Sequence, residues 1–462
     1  MFDKLRIKLI ILFLTIAFLT TTAFGCKGSV SKEEAVKVQP ITLNYWRVWD
    51  SGDAFDDIIA AYRVLHPNIT IRYRKLRYDE YERELLDAFA EGRGPDIFSI
   101  HAGWSRRYQN KIKPLPEKIT MAYPIIKGTI KKEETIELVT KDSLSLEQVR
   151  DNFVPAVYDP AVIGDQIYGL PLSVDTMVLF YNRDLLNNAG ITEVPRYWND
   201  DFLQDVKKLT KKNEQGDITQ AGVSLGSSTN IERYSDILSL LIMQNGAEML
   251  DSQGRVSFQK NVNKSSSDYA PGMEALRFYT DFANPIKEVY TWNADMPNSL
   301  QSFIDGSSAF FFGYAYHIDE IKARAPRLNF GISNMLQIQD SKNSVNFANF
   351  WLETVSAQSA HTDEAWDFIQ FAIDAANVKS YLDKTNNPTA LKSLINEQLE
   401  KRDIKVFADQ LLTAKIWYIG KDYNAAEVII GDMIDQALFS DSKQLPRIMQ
   451  NAAGKIQQTI SD

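Results

Sequence analysis

The sequence predicts an α/β protein of two domains, and three observations predict it. Strand and helix patterns alternate through Ile41–Ile100, a second and less regular alternation runs from Tyr168 to Met249, and the composition is 44% hydrophobic and 24% charged, that of a soluble globular chain. Of the 462 residues, about 435 follow an apolar leader, enough for two or three domains with sizeable cores.

Taken in chain order, the leader comes first. Lys4, Arg6 and Lys8 precede an uncharged run from Leu9 to Leu19, which rises only ~16 Å as a helix against a hydrocarbon core of ~30 Å. The run is the length of an export signal rather than a span, and the basic residues favour a cytoplasmic N-terminus. Cys26, the chain's single cysteine, stands directly behind it. The part beyond Cys26 therefore has no disulfides and is held by packing alone. Residues 28–40 are polar and aperiodic and read as a tether.

Ile41 to Trp46 reads as a strand, and Asp53 is placed to cap a helix with Phe55, Ile58, Ile59, Tyr62 and Leu65 on its apolar face. Pro67 ends that helix. Ile69, Ile71 and Tyr73 alternate as a strand, Tyr81, Leu85, Ala88 and Phe89 mark a second helix ending near Gly92, and Gly94-Pro95 turns the chain into a third strand, Asp96 to Ile100. Short connections between these elements imply a parallel sheet with right-handed crossovers. Ligands of such sheets collect beyond the carboxyl ends of the strands. Trp46, Trp49, Asp50 and Asp53 follow strand one, and His101, Gly103 and Trp104 follow strand three.

Further on, Phe202, Val206 and Leu209 predict a helix, Ala221 to Leu225 a strand, and Ile237, Leu240, Leu241 and Met249 another helix. Ala365, Phe368, Ile369 and Ala372, then the segment from Ala425 to Ile460, read as helical.

The formal charge of −9 excludes a general nucleic-acid binder, whose phosphate-tracking surface needs clustered Lys and Arg. Gly222-Val223-Ser224-Leu225-Gly226 matches the nucleophile-elbow pattern, with His317 and His361 downstream, so a serine hydrolase using Ser224 is one reading. That serine lies inside the strand pattern rather than on the strand-to-helix turn the chemistry needs. The four histidines share no ligand spacing and no phosphate-cradling glycine loop occurs, so neither metal nor cofactor is expected. Trp46, Trp49, Trp104, Trp292, Tyr314, Trp351 and Trp417 stand off clean core periodicity. Flat aromatic faces beside Asp, Asn and Arg suit sugar rings, which pair apolar C–H faces with a rim of hydroxyls. Asp50, Asp53 and Asp175 beside aromatics would equally suit a cationic solute such as a polyamine.

Four segments carry a family resemblance: Gly94-Pro95-Asp96-Ile97-Phe98; Tyr168-Gly169-Leu170-Pro171 with Phe180 to Leu186; Phe303 to Phe310; and Glu364 to Ile369. In their order and spacing the chain resembles the extracellular solute-binding proteins of ABC importers, in the sugar-binding group similar to maltose-binding protein. The resemblance implies a periplasmic-binding-protein-like fold of two α/β lobes, each with a mainly parallel sheet, joined by crossings near Val174–Met177, Phe312–Gly313 and Trp351–Glu353. The lobes would comprise residues 41–174 plus 313–351 and residues 175–312 plus 352–462. Ligand contacts would come from Trp49, Asp50, Asp53, His101, Trp104, Asp175, Asn230, Trp292, Tyr314, Trp351 and Trp417. Asn386 to Ala390 resembles the family's late proline-containing loop. The chain departs from the family at Ala315, where an aromatic is common, in the charged insertion from Ile125 to Asn152, and at Asn334 to Gln337, which lacks a proline. Ala23-Phe24-Gly25-Cys26 resembles a lipobox, so residues 1–25 would be a cleaved signal and 26–40 a lipidated tether. The implied protein is a monomeric extracytoplasmic receptor, anchored to the outer face of the cell membrane by Cys26, that hands a carbohydrate to ABC permease subunits and catalyses nothing.

Overall fold

The computed structural model describes residues 39–127, 133–261 and 270–461, so the leader, Cys26 and the start of the tether lie outside the described residues. The first sheet is built from β1 (Ile41–Arg47), β2 (Ile69–Lys75) and β3 (Ile97–His101), which pair in parallel with β1 central. Helices α1 (Asp56–Leu65) and α2 (Tyr78–Ala90) make the crossovers. The apolar positions read from the sequence are the buried ones: Ile58 and Tyr62 on α1; Tyr81, Leu85, Ala88 and Phe89 on α2. Asp53 does not cap α1. It sits in a 3-10 turn, Gly52–Ala54, and the helix begins after Phe55. In and before the charged insertion, β4 (Lys118–Lys127) and β5 (Glu133–Asp142) pair antiparallel, with Ile119 and Met121 buried.

The chain leaves the first sheet through β6 (Asp175–Thr176) and enters a second sheet with β7 (Val178–Asn182), β8 (Ile218–Val223), β9 (Ser308–Gly313) and β10 (Phe330–Ser333). Here the expectation of a mainly parallel sheet is corrected. Only β8 and β9 pair in parallel, because β7 lies between β9 and β10 and runs against both. The helix on Phe202, Val206 and Leu209 spans Asp200–Leu209 and is capped by Asn199, whose side chain accepts the Phe202 N–H.

The crossings differ from expectation in two places. Phe312 and Gly313 pair with Leu179 and Val178 inside the second sheet, and the chain continues there through helix α3 (Tyr316–Arg324) and β10. It returns to the first sheet at β11 (Asn346–Asn349), after which β12 (Trp351–Val355) pairs antiparallel with β3, Trp351 opposite His101. Helices Thr362–Ala372 and Ala375–Thr385 then pack on α1. A last crossing at β13 (Ala414–Lys415) leads to helices Tyr423–Leu438 and Leu445–Ser461, which pack on the second unit's Pro271–Asp281. The three crossing strands form a small sheet of their own, β13–β11–β6. Residues 313–345 thus stay with the second sheet, and the stretch after Trp351 first joins the other. Both errors have one cause: strand pairing over more than a hundred residues is non-local, and neither Phe310–Phe312 nor Trp351–Val355 carries a local signal of the strand it will pair with.

Candidate ligand cleft

The cleft is assembled from strand ends. β1 runs into Val48 and Trp49, β3 ends at His101, and β12 begins beside it at Trp351, while α2 opens with Tyr78 just past β2. Four side chains therefore gather at one edge of the first sheet. Opposite them stand the starts of three second-unit helices: Tyr314 and Tyr316 after β9, Arg233 and Asp236 at helix Tyr234–Gln244, and Tyr423 and Glu427 at helix Tyr423–Leu438.

The aromatic rings line up across the gap. Trp49 stacks on Tyr78 at 5.1 Å and 22°, and on Tyr316 at 5.9 Å and 11°. Tyr316 stacks in turn on Tyr314 at 5.9 Å and 18°. Trp351 meets Trp49 edge-on at 6.2 Å and also borders Tyr78, His101 and Trp104. Trp49 is 47% exposed, Tyr78 50% and Tyr316 41%, which leaves ring surface open among aromatics that are otherwise buried.

Polar groups rim the stack. His101 Nδ1 accepts the Gly103 N–H at 3.2 Å, so Nε2 carries the proton and donates to Asn349 Oδ1 at 3.2 Å. Burial pushes the imidazole down to about 4, helped by Arg233 and opposed by Asp236, so the ring is neutral near pH 7. The His101 ring lies 4.9 Å from that of Tyr423, a contact between the two units. In the second unit Arg233 donates from Nε to Asp236 at 2.7 Å and from Nη2 to the Tyr423 hydroxyl at 3.1 Å, and pairs with Glu427 at 3.5 Å. Tyr314 donates its hydroxyl to Asp236 at 2.7 Å. Arg233 has a left-handed backbone, φ 58°, and the network of charge-assisted bonds holds it there.

A model of the bacterial extracellular solute-binding protein family matches residues 49–379, most of the chain and both units. The chain belongs to that family. Among its relatives is a galactooligosaccharide-binding protein of Bacillus subtilis, 21% identical over 380 residues that cover 82% of this chain and 79% of that one. A maltodextrin-binding protein of the same organism is 23% identical over 290 residues, 58% of this chain and 62% of that one. Among solved structures, a cyclic α-maltosyl-1,6-maltose binding protein from Arthrobacter globiformis aligns with a TM-score of 0.68 at 16% identity, covering 91% of this chain and 99% of that one. This solute-binding protein shares their two-lobed fold, and like them it is a binding protein, not an enzyme. Ser224 fits that: its buried hydroxyl shares a hydrogen bond with Ser308 at 2.9 Å, and no histidine is bonded to it. Among the described residues no group of acids, cysteines and histidines could hold a metal ion, and no helix is long and apolar enough to cross a membrane.

Of the site residues expected from sequence, the structure of this solute-binding protein brings together Trp49, His101, Trp104, Tyr314 and Trp351. Asp175 lies close by on the first crossing, where its carboxylate accepts the Thr176 and Ala315 N–H groups at 2.8 Å each. The others go elsewhere. Asp50 is held inside the first lobe by Arg47 at 3.1 Å and the Tyr381 hydroxyl at 2.9 Å. Asp53 is exposed on its turn beside Ser51. Trp292 is fully buried, its indole N–H donating to Asn230 at 2.8 Å, and Asn230 spends its amide on the Asn293 and Met296 carbonyls. Trp417 is buried edge-on against Tyr418. Sequence reasoning missed Tyr78, Arg233, Asp236, Asn349, Tyr316, Tyr423 and Glu427. The edge rule applied to strands one and three would have found Tyr78 had it been applied to strand two; the other residues carry no local signal.

Proposed function

We propose that this protein is an extracytoplasmic receptor that closes two lobes, residues 41–174 with 350–404 and residues 178–345 with 405–461, on a carbohydrate and delivers it to ABC permease subunits. Lipidation of Cys26 would tether it, as a monomer, to the membrane's outer face. The observation that carries the reading is the parallel alignment of Trp49 and Tyr316, one ring from each lobe. A small opening about the β13–β11–β6 hinge separates two flat faces that a sugar ring can fill, with Arg233, Asp236, His101 and Asn349 within reach of its hydroxyls. The relatives named for galactooligosaccharide and maltodextrin support the same ligand class. A ligand that touches both lobes favours the closed form by its differential affinity.

The three acids from which the sequence argued a polyamine are otherwise engaged: Asp50 is paired with Arg47, Asp53 is exposed on its turn and Asp175 accepts backbone N–H groups. Isothermal titration of residues 27–462 with mono- and oligosaccharides tests the proposal. Saturable binding of one sugar class, weakened by Trp49→Ala, supports it; indifference to every saccharide sinks it. Ligand-dependent stimulation of a co-reconstituted permease ATPase tests delivery, and loss of membrane association in a Cys26→Ser chain tests the anchor.

A further inference from the structure

The charge of the cleft is lopsided. On the second-lobe face, Arg233 is set among three carboxylates: Asp236 at 2.7 Å, Glu427 at 3.5 Å, and Glu232, which follows Ile231 into the same turn. Glu232 lies 3.1 Å from His317 Nε2, and His317 Nδ1 accepts the Tyr314 N–H at 2.9 Å. On the first-lobe side Glu82 is balanced by Arg107 at 3.1 Å. The phenols of the stack register this environment. Burial raises Tyr78, Arg233 draws it back, and Glu427, Glu82 and Asp236 raise it again. Tyr316 is raised by its surroundings, drawn back most strongly by Arg233, and raised again by Glu232, Asp175 and Asp236.

Arg233 is thus engaged by two bonded carboxylates with a third acid, Glu232, in the same turn, so in this group of side chains acids outnumber cations by three to one. From this we infer that the cleft discriminates by charge, accepting neutral and 2-amino saccharides and rejecting those that carry a carboxylate, with Glu427 as a specificity-determining residue. The inference rests on the carbohydrate reading above and adds the charge class of the ligand. Its mechanism is repulsion rather than an added contact. A uronate ring offers the same faces to Trp49 and Tyr316, but its carboxylate meets a guanidinium, Arg233, that is already bonded to Asp236 and Glu427.

The test is titration of residues 27–462 with matched trisaccharides: α- and β-linked hexose trimers, the same trimers oxidised to C6 carboxylates, and the 2-amino trimers. The neutral and amino forms are expected to bind, and the carboxylated form to bind about tenfold weaker or worse at low ionic strength, a gap that narrows in 1 M NaCl because the repulsion is screened. Glu427→Gln, which keeps an acceptor for Ser235 Oγ, is expected to shift the carboxylate-to-neutral ratio toward the carboxylate by about tenfold. Carboxylated trimers that bind wild type within about threefold of their neutral partners, or a ratio unmoved by both salt and Glu427→Gln, overturn the inference while leaving the carbohydrate reading intact. Silence from all three charge classes overturns both.

Discussion

Trp49 and Trp292 are the same residue type with opposite fates. Trp49 keeps 47% of its surface exposed while Trp292 keeps none, and the substitutions should separate accordingly. Trp49→Ala removes a stacking face but little core, so calorimetry should show ligand affinity down by about tenfold or more, while the apo protein loses about 1 kcal/mol or less. Trp292→Ala opens a cavity and strips Asn230 of a donor. Denaturant unfolding should show a loss of about 3–5 kcal/mol, with the affinity of the protein that remains folded unchanged. His101 makes a third prediction at this scale. In the closed form burial holds its imidazole down to about 4; opening draws it away from Tyr423 and returns it toward the ordinary ~6.5. Protonation therefore favours the open form. Affinity should be flat above pH ~6.5 and fall by up to about tenfold per unit toward pH 4, and His101→Asn should flatten the profile measured by titration at several pH values.

At the scale of elements, the hinge and the cleft share residues. Asp175 on β6 pairs across the hinge sheet with Asn349 on β11. Asn349 holds His101 on the first lobe, and Asp175 holds the Ala315 N–H at the start of α3, the helix that presents Tyr316. Burial pushes the Asp175 carboxyl up to about 8, against the backbone N–H groups that favour its charged form. A raised acid in the folded state means stability present below the unfolded value and lost as pH climbs through the folded one. Relative to Asp175→Asn, then, wild type should lose stability between about pH 4 and pH 8, read as the difference in unfolding free energy between the two proteins. Gly103, in the turn after β3, tests closure itself. A Cβ there would meet Tyr423 Cδ2 at 2.6 Å and Cγ at 3.0 Å on the other lobe, closer than the 3.2 Å to His101 Nδ1 on its own. Gly103→Ala should leave the thermal stability of the apo protein nearly unchanged and weaken ligand binding, and small-angle scattering should find the saturated variant more open than saturated wild type.

At the scale of the whole molecule, two sheets of different make are tied by a third made only of crossings. The three parallel strands of the first sheet were legible in the sequence because each of their elements announces itself within about ten residues. β1 alternates, α1 and α2 repeat at helical spacing, and Gly94-Pro95 marks the entry to β3. The second sheet was legible as α/β but not in direction, since the same apolar run of Phe310–Phe312 satisfies a parallel or an antiparallel neighbour. The late crossings were misplaced for a related reason. Nothing within Phe330–Ser333 says that it pairs with Val178–Asn182, nor within Trp351–Val355 that it pairs with Ile97–His101.

The same division runs through the cleft. Sequence alone determined the α/β class, the carboxyl edge of the first sheet as the place to look, and the presence there of Trp49 and His101, because strand ends and the turns after them are local properties of the chain. Which tryptophans face the opening, that Asp50 and Asn230 are consumed by neighbours, and that Arg233, Asp236, Tyr423 and Glu427 meet Tyr78 and His101 were decided only by the tertiary structure. Those contacts join residues up to several hundred positions apart, and burial, ring alignment and net charge at one point in space exist only once the distant segments have packed together.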